Sequence, residues 1–185
     1  MKHVPFLLRP VGKDYLWGGE RLKTEYHKQI DLTPLAETWE CSTHPDGCSI
    51  VDSGAAAGKP LRTVLQEHPE YLGIYANSEG ELPILIKLID AKKDLSVQVH
   101  PDDELAQRRH GCPGKTEMWY VVDGAPGAYL LDGFSRQVTA DEYAARVADQ
   151  TLPEVLRRYD VRPGDVYYLP AGRVHSIGTG CFICE

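Results

Sequence analysis

The segment Gly164-Asp-Val-Tyr-Tyr-Leu-Pro-Ala-Gly-Arg-Val-His175 decides the fold. It contains a turn, a short run rich in β-branched and aromatic residues, and a second tight turn at Pro170 and Gly172. His175 then stands where the next strand begins. Short strands joined by tight turns are typical of antiparallel β structure, so the segment predicts a mostly β protein.

Turn-forming residues separate short segments throughout the rest of the chain as well. Thirteen prolines and 17 glycines are spread over 185 residues, which is the rhythm of short strands and turns. Strands are predicted at Leu35–Thr43, Ile84–Ile89, Leu95–His100, Glu117–Val122, Ala128–Leu131, Val166–Leu169 and Val174–Ile177. That set is sufficient for a β-sandwich or a β-barrel.

Helices are predicted to be few and short. Pro101–Arg109 begins with acidic residues and ends before Gly111, as a short helix should. Thr139-Ala-Asp-Glu142 and Thr151-Leu-Pro-Glu154 both fit the capping box, in which a threonine is followed three residues later by a glutamate. We therefore expect a helical insertion near residues 139–159, between two strands.

Composition limits the partners and the number of domains. With 42% hydrophobic residues, 185 residues are enough for one ordinary core, so we expect a single domain over residues 1–185. The formal net charge is −7 and the basic residues form no run, which excludes a nucleic-acid or anionic-membrane surface. The longest apolar run, Leu82–Leu88, is far shorter than the ~20 residues of a membrane helix, so no span is expected. The first ten residues lack the features of a secretory signal, which favours a cytoplasmic protein.

Three predicted strands carry side chains that bind metals. If Leu95–His100 is a strand, Gln98 and His100 share one face, and Val97 and Val99 point into the packing on the other face. An inward histidine is more often a hydrogen-bonded core residue, so this pair alone is weak evidence. Glu117 opens a strongly apolar run. It is either a solvated edge residue or a buried carboxylate that needs a partner.

The opening segment resembles the second motif of the cupin superfamily, with Thr179 in place of the final asparagine. The resemblance implies a cupin-type antiparallel β-barrel, or jelly roll, with a few short helices. In such a fold the second turn brings His175 to face the strand that carries Gln98. The first cupin motif matches less well, because Gln98 stands where most cupins have a histidine.

Gln98, His100, Glu117 and His175 together offer two imidazoles, a carboxylate and an amide oxygen. This mixed nitrogen and oxygen set suits one Zn²⁺ ion per chain and leaves room for water or a substrate. Mn²⁺ or Fe²⁺ would also accept these ligands. We expect zinc.

The whole chain resembles the zinc-dependent type I mannose-6-phosphate isomerases. The family resemblance implies the same four metal ligands, and it implies catalytic roles for Lys115 and Lys87 and contact between Ser96 and the substrate phosphate. Besides the opening segment, it rests on Trp17–Leu22, Ala36–Gly47, Leu82–Ala91, Leu95–Asp103 and Gly114–Tyr120.

A mannose 6-phosphate and fructose 6-phosphate isomerase moves a proton between C1 and C2 of the sugar through a cis-enediol. Lys115, Lys87 or a histidine could carry this proton. The phosphate dianion needs local cations, so Arg173 is expected to bind substrate with Ser96.

The resembling enzymes continue beyond the metal-binding histidine through a Thr-Tyr-Arg segment, whereas this sequence ends at Glu185. We therefore expect the C-terminal domain of the family to be absent. A metal-dependent sugar-phosphate-binding cupin without turnover is the alternative to an isomerase. Unrelated cupin chemistry, such as that of a dioxygenase, is disfavoured because Trp17-Gly-Gly and Lys115-Thr-Glu117 match one family rather than the superfamily.

Overall fold

The computed structural model describes residues 4–185. The chain divides into two compact units. The first extends to Ile89 and includes Glu185, and the second runs from Asp90 to Cys184. The expectation of a single domain stays a prediction.

The first unit contains short strands and helices around a small apolar cluster. Its sheets are antiparallel, with β3 between β2 and β7, β1 paired with β6, and β4 paired with β5. The elements are β1 (Leu8–Arg9), β2 (Val11–Lys13), α1 (Arg21–Thr24), β3 (Glu37–Cys41), β4 (Thr43–His44), β5 (Gly47–Cys48), β6 (Ile50–Val51), a 3₁₀ turn (Gly54–Ala56), α2 (Leu61–Glu67), a 3₁₀ segment (Pro69–Tyr75) and β7 (Ile86–Asp90).

The second unit contains the opening segment of the sequence and most of the predicted strands. In one antiparallel set β8 lies between β11 and β13, and in the other β9 lies between β10 and β12. The elements are α3 (Asp103–His110), β8 (Glu117–Gly124), β9 (Tyr129–Phe134), α4 (Ala140–Ala148), a 3₁₀ turn (Leu152–Val155), β10 (Leu156–Asp160), β11 (Val166–Leu169), β12 (His175–Ile177) and β13 (Cys181–Cys184).

The alternation of buried and exposed side chains along β8 shows which face of this strand lies in the core of the second unit. Glu117, Trp119 and Val121 are buried, whereas Met118 and Tyr120 between them are exposed. This is the period of two that a strand gives to its side chains. The inward face of β8 therefore carries a carboxylate next to a fully buried indole.

The predicted helices form, and side chains cap their first turns. Asp102 accepts a hydrogen bond from the Leu105 amide at the start of α3, and Gly111 ends the helix in a left-handed conformation. Thr139 accepts from the Glu142 amide at the start of α4. The second capping box precedes only a 3₁₀ turn, in which the Thr151 side chain makes no capping hydrogen bond. Both helical pieces lie between β9 and β10.

The prediction of a strand at Leu95–His100 is wrong. The segment is extended, but it pairs with β12 only around Leu95 and Gln98, and the single bridge between Gln98 and His175 does not extend into a continuous ladder. Val99 is 49% exposed, and of the two valines only Val97 packs against the buried cluster of this unit.

No helix among residues 4–185 is long and apolar enough to cross a membrane.

Candidate metal centre

Three side chains of the second unit converge on one point. His100 lies just before α3, Glu117 begins β8 and His175 begins β12. Their nitrogen and oxygen atoms lie within 4.8 Å of one another, and no other such group of His, Cys, Asp and Glu occurs within residues 4–185. The three positions are those that the sequence predicts for metal binding.

The Glu117 carboxylate lies between the two imidazoles. Its Oε1 is 3.1 Å from His100 Nε2, and its Oε2 is 3.3 Å from His175 Nε2. The two ring centroids are 5.1 Å apart. Each side chain thus directs one potential ligand atom toward a common centre.

The other nitrogen of His175 fixes the form of its ring. Nδ1 lies 2.8 Å from the Arg173 carbonyl oxygen, and since a carbonyl only accepts, Nδ1 must donate. In the neutral ring Nε2 then carries a lone pair that faces a carboxylate oxygen. Either a proton or a metal ion can bridge these two atoms, and metal-binding histidines are commonly oriented by such a hydrogen bond from the second ring nitrogen.

His100 gives a second, independent indication. Its Nε2 is buried and, among the residues that the structure describes, has no hydrogen-bond partner, because the 3.1 Å approach to Glu117 lacks hydrogen-bond geometry. A buried polar atom without a partner is costly unless something else satisfies it. The donor set therefore fits a divalent metal ion.

Glu117 is ionised in this setting. Burial would raise the pKa of its carboxyl, but contacts with His100, His175 and Lys115 outweigh burial and hold the pKa far below its usual range. The Lys115 ammonium lies 2.6 Å from Glu117 Oε1, and its side chain is 45% exposed. Lys115 is thus the predicted catalytic residue that stands beside the cluster and still reaches solvent.

Gln98 is held opposite His175 by two backbone hydrogen bonds. The Gln98 amide donates to the His175 carbonyl at 2.8 Å, and the His175 amide donates back at 2.9 Å. Residues paired in this way project their side chains to the same face. The Gln98 Nε2 donates to Ser96 Oγ at 3.3 Å, which leaves its Oε1 available. A ligand role for Gln98 stays a prediction.

Backbone contacts gather the segments that carry the ligands. The Gly172 amide donates to the His100 carbonyl at 2.7 Å, and the Lys115 amide donates to the Pro101 carbonyl at 3.1 Å. Gly114 packs so closely on the turn before α3 that a Cβ there would lie 2.5 Å from the backbone of Asp103. Only glycine allows this approach, which sets Lys115 and the start of β8 beside His100.

Two further predicted residues are engaged elsewhere. Lys87 belongs to the first unit, where its ammonium lies 2.9 Å from a Glu185 carboxylate oxygen and 3.7 Å from Glu37. The Arg173 guanidinium is bound by both carboxylate oxygens of Asp132. Their roles in catalysis and substrate binding stay predictions.

Sequence reasoning missed two residues around the cluster. The Trp119 ring meets the His175 ring edge to face with centroids 5.3 Å apart, and the alternation along β8 could have indicated this neighbour of Glu117. Asp132 lies opposite His175 in the pairing of β9 with β12. Its position depends on strand register, which no local feature of the sequence indicates.

A cleft of about 570 Å³ lies within the second unit, lined by Gln98 and by Val174, the residue before His175, but not by His100, Glu117 or His175. Ser96 and Gln98 line one side, and Tyr143, Arg146 and Gln150 from α4 and its end line the other. Its lining is mostly apolar, with hydroxyl, amide and guanidinium groups at a few positions.

Comparison with known proteins gives one family. Residues 6–146 match the family described as phosphomannose isomerase type I, catalytic domain. "Probable mannose-6-phosphate isomerase GmuF" of Bacillus subtilis is 39% identical over 98% of this chain. The chain spans only 57% of the length of that relative.

Solved structures agree on the fold. The mannose 6-phosphate isomerase from Bacillus subtilis matches 97% of this chain and 57% of its own with a TM-score of 0.90 and 35% identity, which confirms the predicted mostly β, cupin-type fold. The isomerase from Salmonella typhimurium, solved with fructose 6-phosphate and zinc, matches with a TM-score of 0.71 and 17% identity over 96% of this chain and 66% of its own. At that identity the likeness shows the fold alone.

Proposed function

This chain belongs to the type I phosphomannose isomerase family, and from that premise we propose that it acts in the zinc-dependent interconversion of mannose 6-phosphate and fructose 6-phosphate. One observation carries the proposal. The buried Glu117 carboxylate lies 3.1 Å from His100 Nε2 and 3.3 Å from His175 Nε2, and the His100 nitrogen is buried with no hydrogen-bond partner among the described residues. The Salmonella relative contains zinc and a sugar phosphate, which supports the choice of ion and substrate.

His100, Glu117 and His175 would hold the zinc, with Gln98 as the fourth ligand. Two nitrogen donors and a carboxylate match the preference of Zn²⁺, and a neutral amide oxygen adds no charge. When bound, zinc supplies a Lewis acid for the oxygens on C1 and C2 of the sugar. The hydrogen bond from Gln98 to Ser96 orients the amide so that its oxygen is the free acceptor.

The remaining chemistry is the transfer of a proton between two neighbouring carbon atoms. Lys115 is the strongest candidate to carry it, because its ammonium lies at the edge of the cluster and is half exposed. In its neutral form the amine accepts the proton from one carbon and returns it to the other. The carboxylate of Glu117 keeps the Lys115 side chain directed at the cluster.

The cleft beside Gln98 is the proposed place for the sugar phosphate. Its volume of about 570 Å³ accommodates a hexose phosphate, and its polar groups can bind hydroxyls. Ser96, for which the family resemblance implies a contact with the phosphate, lies on its wall. Arg173 reaches the phosphate only if that anion competes with Asp132.

The test is a coupled assay of mannose 6-phosphate conversion with zinc content measured on the same samples. Wild type should contain one zinc per chain and turn over, and His175→Ala should lose both. His110→Ala, an exposed histidine at the end of α3, is the matched control and should keep both. Zinc with binding of the sugar phosphate but no turnover would instead support the sugar-binding cupin. Absence of zinc from the wild type would refute the metal centre.

A further inference from the structure

The Asp132–Arg173 ion pair stands next to the metal centre without touching it. The Arg173 Nη2 donates to Asp132 Oδ2 at 3.2 Å, and Nε donates to Oδ1, so the guanidinium makes a bidentate (two-pronged) contact with the carboxylate. Asp132 is only 6% exposed. A carboxylate buried to this degree is costly without a partner, and Arg173, whose side chain is 41% exposed, supplies the opposite charge. What bears on the metal centre is the geometry of this pair.

The pair fixes the carbonyl group that orients His175. Arg173 supplies the oxygen that accepts from His175 Nδ1 at 2.8 Å, and Asp132 lies directly opposite His175 in the pairing of β9 with β12. The next residue, Gly133, donates from its amide to the Val174 carbonyl at 2.8 Å. The side chain and the backbone around Arg173 are therefore both tied to β9.

Gly133 makes room for this arrangement. Its φ is +69°, and a Cβ there would lie 3.3 Å from the Arg173 guanidinium. The guanidinium thus packs against the backbone at Gly133 while it binds the Asp132 carboxylate. Neutralisation by Asp132 also removes an unpaired positive charge from beside a site that is to hold a cation.

We propose that Asp132 is a positioning residue that, through its two-pronged contact with Arg173, holds the Arg173 carbonyl where it fixes the ring of His175 for metal binding. This inference rests on the proposed function, and it assigns the Arg173 side chain to the support of a metal ligand. Loss of groups that orient metal-binding histidines typically weakens metal binding 10- to 100-fold.

Two variants test the proposal. Asp132→Asn keeps the shape and removes the charge, and Arg173→Lys keeps the charge and removes the planar fork. Asp160→Asn is the control, since Asp160 pairs with Arg158 on the exposed side of β10 in the same unit. Zinc affinity is measured by competition with a chelator. Proton occupancy on His175 Nδ1 is measured by ¹H–¹⁵N correlation spectra of the metal-free protein at pH 8.

We expect both variants to bind zinc about 10- to 100-fold more weakly and to show partial loss of the proton from Nδ1, with Asp160→Asn like the wild type. Zinc affinity within twofold of wild type, or full protonation of Nδ1 in both variants, overturns the proposal. If Asp132→Asn does not fold, Arg173→Lys decides alone. If the wild type binds no zinc, the proposed function fails, and the Nδ1 signal of the metal-free protein still decides this inference.

Discussion

At the scale of single residues, the two histidines are identified as metal ligands by different observations. The ring of His175 is oriented by a hydrogen bond from Nδ1 to the Arg173 carbonyl oxygen. For His100 the observation is that Nε2 is buried and has no hydrogen-bond partner in the described part of the chain. Glu117 joins them, and Lys115 stands beside it at 2.6 Å. Ligand roles and proton transfer can therefore be separated by mutation.

Lys115→Met should lower kcat by roughly 10²- to 10⁴-fold, the range for loss of a general acid or base, while the zinc content stays at one per chain. The change removes the amine and keeps the length of the side chain. Steady-state kinetics and elemental analysis on the same preparation measure both effects. Lys93→Met, at an exposed lysine, should leave both unchanged. A Lys115→Met enzyme with the turnover of the wild type would remove Lys115 from the mechanism.

At the scale of elements, the turn before α3 is the most sensitive part of the site. Gly114→Ala places a Cβ 2.5 Å from backbone atoms of Asp102 and Asp103, which cannot yield as a side chain would. We expect a loss of about 1–3 kcal/mol in the free energy of unfolding and weaker zinc binding. Denaturant unfolding and zinc titration measure these effects.

Gly124→Ala is the control, because its Cβ would meet only the side chains of Val161 and Ala128, at 3.3 and 3.4 Å, and backbone no closer than 4.0 Å. It should cost less stability and leave zinc binding unchanged. Equal zinc affinity in wild type and Gly114→Ala would show that the close approach does not set the position of β8.

The helix α4 carries an ion-pair network that gives a pH dependence. Contacts with Arg136 and Arg146 lower the pKa of Glu142 from 4.5 to about 2. A carboxyl whose pKa is lower in the folded state stabilises that state fully above its ordinary pKa, and this contribution is lost as the pH falls through about 2.

Glu142→Gln should therefore lower Tm at pH 7, and the difference from wild type should shrink between about pH 4.5 and pH 2. Thermal melts over this range measure it. Asp141→Asn is the control, since Asp141 lies in the same first turn of α4 and is exposed. A difference between Glu142→Gln and wild type that is the same at every pH would contradict the assignment.

Elements with strong local signals were predictable from the sequence. The end of α3 at Gly111, the cap of α4 at Thr139 and the Val166–Leu169 strand are encoded within a few residues, and the structure has them as expected. The strand at Leu95–His100 fails, because strand formation needs a partner in register and β12 contacts only two of its amides. The position of Asp132 opposite His175 could not be predicted for the same reason, because it also depends on strand register.

At the scale of the whole molecule, metal binding should couple to stability. A ligand that binds only the folded state at 100 times its Kd adds about 2.7 kcal/mol, which for a chain of this length corresponds to roughly 5–10 °C in Tm. Removal of zinc with a chelator should therefore lower the Tm of the wild type by that amount. His175→Ala should show no such shift. A chelator-independent Tm in the wild type would mean that no metal is held by the folded state.

The two compact units divide the predicted residues. The cluster, Lys115 and Ser96 belong to the second unit, whereas Lys87 is paired with Glu37 and Glu185 in the first. The chain spans 57% of the length of its B. subtilis relative GmuF, and all three residues of the proposed zinc cluster lie within the second unit. The metal centre is therefore the claim to test first.

Diffraction from crystals grown with zinc, recorded on both sides of the zinc absorption edge, tests this claim most directly. The account predicts one strong anomalous peak per chain within about 2.0–2.2 Å of His100 Nε2, His175 Nε2 and a Glu117 carboxylate oxygen, with the Gln98 amide oxygen as the fourth neighbour. No peak at this cluster, or zinc bound only at other residues, would contradict it.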